Sequence, residues 1–283
     1  MLTDTTPLSD WPVAHDLSAY RLDAAEPRAS ALFVHGFGEH AGRLAKAMRS
    51  FASHGISTFA YDHRGHGRSP GARAVVERFD ALVRDSLAMR EAARAETPDL
   101  PFFLIGDSMG GLLAARSAQT RPDGLDGVVL VSPALTVGVR EGPIVRRVGS
   151  LIGEIAPGFP IAKLDVSALS RSPDVGPAYL ADPLTHHGGV PARTAAQMVK
   201  AGVAAFAAAP AWTLPLLIVH GTADRICDPG GSERFAAAVS GADVTLRLVD
   251  GAFHEPFNDP GGDLLLDEVA TWMLARAERK EPT

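Results

Sequence analysis

Residues Phe102 to Leu113 read FFLIGDSMGGLL, an apolar run followed by a glycine-rich turn and a second apolar run. The turn carries the pattern Gly-x-Ser-x-Gly around Ser108, which predicts a strand that passes sharply into a helix. A turn this tight leaves no room for side chains at positions 106 and 110, and both are glycine. The serine is thereby held in a strained conformation with its hydroxyl above the sheet, near the N-terminus of the helix. Ser108 is therefore the predicted nucleophile.

Short apolar runs like the one before this turn recur along the chain and alternate with longer amphipathic stretches. Most are apolar at every position, as strands of a covered parallel sheet must be. The alternation predicts an α/β fold with a mostly parallel central sheet flanked by helices, in which ligands bind at the carboxyl ends of the strands. The predicted strands are Ala31–Val34, Ser57–Tyr61, Phe102–Ile105, Val128–Val131, Leu216–Val219 and Val244–Val249, and the predicted helices cover residues 41–53, 74–95, 109–119, 231–239 and 263–279.

The segment 134–191 interrupts this alternation, because it contains frequent glycine and proline and no convincing strand. We interpret it as a lid inserted over the sheet, so that residues 1–133 and 192–283 form a single core domain. A helix is predicted within the lid, and one of its faces is apolar. That face either packs onto the core or stays partly exposed, walls the substrate cavity and contacts a lipid surface. Its residues are Ile144, Val148, Leu151, Ile152 and Ile155.

A serine hydroxyl needs a base, usually histidine, to take its proton, and an acid to orient that base. In folds that carry this turn, the acid follows the serine along the chain and the histidine follows the acid. His254 lies directly after the strand that ends at Val249 and is the predicted base. Asp224 follows the preceding strand and is the predicted acid, which fixes the tautomer of the base and stabilises the imidazolium. The alternatives are His186, His187 and His220 for the base, and Asp228, Asp250 and Glu255 for the acid.

The loop after the first predicted strand reads His35-Gly-Phe-Gly-Glu-His40. A loop at this place contributes one N–H group to an oxyanion hole, and the residue after the nucleophile contributes the other. The predicted donors are the backbone N–H groups of Phe37 and Met109, and Gly36 allows the backbone to approach the substrate closely. The loop's histidines lack a third ligand at a suitable spacing, so no metal site is predicted.

The composition of the 283-residue chain excludes several classes of protein. Hydrophobic residues make up 46% and charged residues 21%, as in globular proteins. A net charge of −6 argues against a nucleic-acid binder, which needs a basic surface, and a single cysteine excludes an internal disulfide. No apolar run reaches the roughly 20 residues of a membrane span, and the first residues do not resemble a secretory signal. We therefore expect a cytoplasmic protein.

Five motifs together resemble the monoacylglycerol lipases, which are α/β-hydrolases with a helical cap: His35–His40, Tyr61–Ser69, Gly106–Gly111, Tyr179–Leu184 and His220–Asp224. The resemblance covers the chain from Ala31 onward. It implies hydrolysis of monoacylglycerols to fatty acid and glycerol, without a cofactor, and transient contact of the cap with a membrane or micelle surface. It also implies the site residues, namely Ser108, Asp224 and His254 as the triad, Phe37 and Met109 as oxyanion donors, and Cys227 beside the substrate. The residues themselves add Gly36, where the loop approaches the substrate, and Ile152 and Ile155, on the apolar face of the lid helix, as further candidates for substrate contact.

One position departs from the family, because the residue before the nucleophile is usually histidine and here is Asp107. A negative charge there opposes a developing oxyanion, so we expect this side chain to bond to a neighbouring loop. Because of this departure, the motifs do not identify the substrate. Lysophospholipases, broad carboxylesterases and acyltransferases use the same machinery, and a non-catalytic ligand-binding protein shares the fold. Dehalogenases and epoxide hydrolases are disfavoured, because they place aspartate where Ser108 stands.

Overall fold

The computed structural model describes residues 8–136 and 153–278. The strands of this part of the chain are β1 (Ser9–Asp10), β2 (Ala19–Leu22), β3 (Ala29–Val34), β4 (Ile56–Tyr61), β5 (Phe102–Asp107), β6 (Gly127–Val131), β7 (Pro160–Ala162), β8 (Val190–Pro191), β9 (Leu216–Gly221) and β10 (Val244–Val249). An eight-stranded sheet has the order β1-β2-β4-β3-β5-β6-β9-β10. Its strands from β4 to β10 in this order pair parallel, whereas β1 and β2 are antiparallel additions at one edge.

Helices cover both faces of this sheet. They are α1 (Ala45–Ser53), α2 (Phe79–Glu96), α3 (Met109–Thr120), α4 (Val175–Ala181), α5 (Ala192–Ala208), α6 (Pro229–Ala238) and α7 (Gly262–Ala277). The buried side chains of α2, α3, α5 and α6 pack on one face, and those of α1 and α7 pack on the other. The two layers bury the sheet on both sides.

The central strands show why the apolar runs do not alternate with polar residues. In β5, Leu104 packs into the core layer under α3, whereas its neighbours Phe103 and Ile105 pack into the layer under α7. All three side chains are buried. A strand covered on both faces must be apolar throughout, and this requirement made the six predicted strands recognisable. The mostly parallel sheet and its flanking helices are confirmed.

Several elements differ from the sequence predictions. The edge strands β1 and β2 were not predicted, and neither was α5 over its full length. The helix predicted from residue 74 begins only at Phe79. Ala74 has a φ of 61°, which a right-handed helix excludes, and the Phe79 N–H donates to the Gln197 side chain of α5 at 3.0 Å. A contact from a distant helix therefore fixes where α2 starts.

The chain leaves the sheet after β6 and returns to it at β9. The prediction that this segment contains no strand is wrong, because β7 and β8 pair as a short antiparallel ribbon. Of the predicted apolar helix face, Ile144, Val148, Leu151 and Ile152 lie outside the described residues. Ile155 is described, and 77% of its surface is exposed. Within the described ranges, no helix is both long and apolar enough to cross a membrane.

Candidate active site

Ser108 occupies a strained turn between β5 and α3, with φ of 51° and ψ of −119°. Positive φ is unfavourable for a residue with a side chain, so the surrounding structure must impose it. A Cβ at Gly106 collides with the Gly110 backbone, and a Cβ at Gly110 collides with the Val34 carbonyl of β3. The two glycines thus allow strand, turn and helix to pack closely, and the turn lifts Ser108 above the sheet as the motif predicts.

The predicted oxyanion donors lie on either side of this serine. Met109 is the first residue of α3, and Phe37 belongs to the loop that follows β3. A Cβ at Gly36 stands only 3.1 Å from the Ser108 Cβ, so a side chain there crowds the nucleophile. The loop is held from the other side by Tyr179 of α4, whose hydroxyl donates to the Gly38 carbonyl at 3.0 Å. The structure therefore brings the two predicted donors to the same end of the sheet.

His254 and Asp224 are joined by a hydrogen bond of 2.7 Å between Nδ1 and Oδ2. Asp224 Oδ1 accepts two backbone N–H groups, from Ile226 at 2.7 Å and Cys227 at 3.0 Å. Burial raises the pKa of Asp224, but its hydrogen bonds to His220 and His254 outweigh burial and hold the pKa well below the usual range. Asp224 is consequently an anion that orients the histidine.

The same carboxylate raises the pKa of His254. Burial favours the neutral imidazole, but the hydrogen bond to Asp224 and its negative charge favour the imidazolium more strongly. A base whose protonated form is stabilised in this way suits the removal of a proton from a hydroxyl group.

The alternative acids have other partners. Asp228 caps the N-terminus of α6 by accepting the Gly230 N–H at 3.2 Å. Asp250 lies at the surface, 3.4 Å from the Thr222 hydroxyl. Glu255 accepts from Arg43 at 2.8 Å. The geometry therefore favours Asp224 over the three alternatives.

The alternative bases also have other partners. His186 and His187 contact the segment between β7 and β8 that contains them, at the Gly189 carbonyl and the Thr185 hydroxyl. His220 is fully buried and bonds to Asp224 Oδ2 at 3.0 Å. We expected His220 to bond to local backbone groups. It does contact the Cys227 carbonyl at 3.2 Å, but its bond to Asp224 was missed.

Ser108 and His254 line one cavity of about 300 Å³ at the carboxyl ends of the strands. One part of its wall is apolar: Ala134, Ala162, Leu164, Leu169, Val190, Met198 and Ile226. The charged part of the lining consists of the carboxyl groups of Glu39, Asp107, Asp165 and Glu255 and the cationic groups of Lys163 and Arg225. Phe37 and Cys227 also line the cavity, whereas the exposed Ile155 lies outside its lining.

Cys227 lies beside Ser108, since both line the cavity and their side chains are close enough to interact. Burial, followed by the negative charge of Asp224, raises the pKa of this thiol well above its ordinary value. A thiol held protonated is a poor nucleophile. Cys227 therefore acts as part of the cavity wall beside the serine.

A network of charged side chains in the cavity wall was not predicted. Arg43 donates from Nε to Glu39 at 3.1 Å and from Nη2 to Glu255 at 2.8 Å. Glu39 faces Asp107, so the expectation that Asp107 bonds to a neighbouring loop agrees with its position. Two signals were available in the sequence: Glu39 lies inside the motif His35–His40, and Asp107 departs from the family.

The fold and this arrangement of serine, histidine and aspartate define an α/β-hydrolase of the serine-hydrolase type. The chain belongs to the family described as serine aminopeptidase, S33, whose model matches residues 25–261. The resemblance to monoacylglycerol lipases is confirmed by individual relatives.

A monoacylglycerol lipase of Mycolicibacterium smegmatis is 37% identical over 250 residues, which cover 88% of this chain and 89% of the relative. The human monoglyceride lipase is 34% identical over 81% of this chain and 76% of its own length. The crystal structure of a monoacylglycerol lipase from Paleococcus ferrophilus superposes with a TM-score of 0.81 at 31% identity, covering 93% of this chain and all of that one.

Proposed function

We propose that this protein hydrolyses monoacylglycerols to fatty acid and glycerol through an acyl-serine intermediate. The observation that carries the proposal is the 2.7 Å bond between His254 and Asp224, at the wall of a cavity that also exposes the strained Ser108. A non-catalytic ligand-binding protein has no need of this arrangement. The substrate class is supported by the names of the relatives at 37% and 34% identity.

In the proposed mechanism, Ser108 Oγ attacks the ester carbonyl while its proton passes to Nε2 of His254. Asp224 keeps the Nδ1–H of His254 oriented and stabilises the imidazolium. The oxyanion accepts hydrogen bonds from the N–H groups of Phe37 and Met109. The tetrahedral intermediate then collapses, the ester C–O bond breaks, and His254 gives its proton to the departing glycerol oxygen. Water attacks the acyl-serine in the same manner and releases the fatty acid.

The two parts of the cavity wall suit the two ends of this substrate. The apolar part, which includes Leu169 and Met198, matches an acyl chain, and burying each CH₂ of the chain contributes about 0.8 kcal/mol. The part lined by Glu39 and Glu255 offers acceptors for glycerol hydroxyl groups.

We further propose that residues 134–191 form the cap over a core made of 1–133 and 192–283, and that the cap contacts lipid aggregates transiently. Support comes from four exposed apolar side chains among the described residues of this segment. Ile155, Phe159, Ile161 and Leu180 are 77%, 56%, 45% and 56% exposed. A cluster of exposed apolar residues on one segment is typical of a surface that meets another apolar phase.

The test is a substrate panel with the purified protein and its Ser108→Ala variant. Monoacylglycerols should be hydrolysed faster than diacylglycerols, triacylglycerols and lysophospholipids, and Ser108→Ala should lower turnover by roughly 10⁶. A fluorophosphonate probe should label the wild-type protein and leave the variant unlabelled. Absence of labelling would indicate a ligand-binding protein, and equal rates on lysophospholipids or simple esters would indicate a broader esterase.

A further inference from the structure

Asp107 and Glu39 form a pair of carboxyl groups beside the nucleophile. Asp107 ends β5 and immediately precedes Ser108, and Glu39 reaches it from the loop after β3. Glu39 is buried, Asp107 is partly buried at the cavity wall, and the two carboxyl groups interact at hydrogen-bonding range. Both also approach Gly36, since a Cβ there lies 2.5 Å from Glu39 Oε1 and 3.1 Å from Asp107 Oδ2. Carboxylates only accept hydrogen bonds, so a bond between two carboxyl groups requires a proton on one of them.

The other hydrogen bonds of the pair show which group carries that proton. Glu39 receives two donors, from the Gly36 N–H to Oε1 at 2.7 Å and from Arg43 Nε to Oε2 at 3.1 Å. Asp107 Oδ1, in contrast, is buried and receives no hydrogen bond. An ionised Asp107 leaves a buried acceptor unsatisfied, whereas a protonated Asp107 is a donor for Glu39. The donors therefore favour the negative charge on Glu39 and the proton on Asp107.

The charges around the pair agree with this assignment. Burial, and then the negative charge of Glu39, raises the pKa of Asp107 well above its ordinary value. Burial also disfavours ionisation of Glu39, but the adjacent Arg43 outweighs it and lowers the pKa of Glu39. The remaining titratable groups that face the pair are contributed by the loops after β4, β9 and β10 and by α4: His66, Cys227, His254, Glu255 and Tyr179.

We propose that Asp107 carries a proton and donates it in a hydrogen bond to Glu39, and that this bond keeps the oxyanion loop in its catalytic position. Glu39 accepts the N–H of Gly36, the residue that precedes the oxyanion donor Phe37. A neutral Asp107 fixes Glu39 from the side of the nucleophile and adds no charge there. Loss of the proton creates a second anion that repels Glu39 and also opposes the oxyanion on the substrate. Asp107 is thus a positioning residue that supports activity only while it is protonated.

The protonation state can be measured without substrate by infrared spectroscopy of the purified protein. A protonated carboxyl group has a carbonyl stretch that a carboxylate lacks. At neutral pH the wild-type protein should show this band, and Asp107→Asn should lack it. Asp259→Asn is the matched control, because Asp259 is also buried but hydrogen bonds from Ser170 and Arg171 outweigh the effect of burial and hold its pKa below the usual value. The control should keep the band.

The kinetic consequence rests on the proposed function and is read from the pH profile of kcat/KM on a soluble ester. For the wild-type protein, kcat/KM should fall on the alkaline side by about tenfold per pH unit above the pH at which the band disappears. Asp107→Asn should keep kcat/KM within about threefold at neutral pH, because one neutral donor replaces another, and it should lose this alkaline limb.

The outcomes separate the two proposals. A band in the wild-type protein that Asp107→Asn removes, with no ester hydrolysis, supports the shared proton and refutes the proposed function. Hydrolysis by a protein whose spectrum is unchanged by Asp107→Asn refutes the shared proton alone. An alkaline limb that persists unchanged in the variant refutes the positioning role. If Asp107→Asn does not fold, the wild-type protein still decides, because the band and the activity must titrate at the same pH.

Discussion

The carboxylate of Asp224 is fixed by several hydrogen bonds at this site. Its Oδ2 atom contacts two histidines, His254 at 2.7 Å and His220 at 3.0 Å. His220 is itself fixed by the Ser232 hydroxyl at 2.7 Å. Together with the two backbone donors on Oδ1, these bonds leave the carboxylate a single orientation. A carboxylate held this firmly keeps the base in one tautomer and one position.

We predict that Asp224→Asn lowers kcat by roughly 10⁴, because the amide stabilises the wrong tautomer of His254 and no longer stabilises its protonated form. Asp228→Asn is the matched control four residues away. Asparagine caps a helix N-terminus as well as aspartate does, so this variant should keep nearly full activity and stability. Steady-state kinetics on a soluble ester measure kcat for both variants. A larger loss of kcat in Asp228→Asn than in Asp224→Asn would identify Asp228 as the acid instead.

At the scale of elements, the insertion between β6 and β9 fixes the loop that carries the base. The N–H groups of His254 and Glu255 donate to the carbonyls of Ala168 and Leu169, at 3.4 and 2.7 Å. Asp259 reinforces this contact. Its carboxylate accepts a hydrogen bond from the Phe253 N–H of the base loop at 2.9 Å. It also accepts bonds of 2.6 to 2.7 Å from Ser170 and Arg171 of the insertion. The base is therefore positioned jointly by the core and by the insertion.

We predict that Asp259→Asn lowers both stability and turnover. Replacing one carboxylate oxygen by an NH₂ group places this group opposite other hydrogen-bond donors. The free energy of unfolding should therefore fall by about 2–4 kcal/mol and Tm by roughly 5–10 °C. A small displacement of His254 should lower kcat up to about 10²-fold with little change in KM. Ser170→Ala removes a single neutral bond and should have a much smaller effect. A lower Tm with unchanged kcat would show that Asp259 stabilises the insertion without positioning the base.

The exposed apolar residues of the insertion give a second prediction at this scale. Changing Ile155 and Phe159 to serine should lower the rate on long-chain monoacylglycerol in micelles severalfold, because less apolar area remains to enter the lipid. Hydrolysis of a short soluble ester should stay almost unchanged. Leu264→Ser on α7 is the control, since Leu264 is 70% exposed but lies outside the insertion. Equal loss on both substrates, with a lower Tm, would refute the interfacial role.

The sequence predicted the elements that are strongly patterned and missed those fixed by distant contacts. The central strands are mostly apolar and almost fully buried, and the site residues follow such strands, so their positions could be predicted. The ribbon of β7 and β8 is too short to show a pattern. The start of α2 depends on a hydrogen bond from the Phe79 N–H to the side chain of Gln197, which lies 118 residues further along the chain. The bonds of Asp107 and His220 likewise depend on which loops meet in space.

On the scale of the whole molecule, the protein buries three histidines next to each other beneath the oxyanion loop. The rings of His35 and His63 lie 3.9 Å apart, and His66 contacts both. Burial lowers the pKa of His63 to about 3 and that of His66 to about 4, and it lowers the pKa of His35 well below the usual value. The folded protein therefore keeps all three rings neutral in the pH range where free histidines become charged.

We predict that the free energy of unfolding decreases as the pH falls from about 6.5 towards 4. In this range the unfolded chain binds protons at these histidines and the folded protein does not, so each histidine contributes a loss of about 1.4 kcal/mol per pH unit. Denaturant unfolding at pH 7, 6 and 5 measures the slope. His66→Asn should reduce the slope by one histidine's share. A stability that stays constant down to pH 5 would contradict the prediction.

The pairing of β6 with β9 has a consequence for how this enzyme can diversify. The two strands align residue by residue, from Val128 beside Leu216 to Val131 beside Val219, although the whole insertion separates them in the chain. Doubling the length of a flexible connection costs only about 0.6 kcal/mol, so the insertion can be lengthened, shortened or exchanged while the sheet and the nucleophile keep their places. Any replacement has to keep the contacts that the insertion makes with the site loops: the Ala168 and Leu169 carbonyls on the base loop, the Ser170 and Arg171 bonds to Asp259, and the Tyr179 bond to the Gly38 carbonyl.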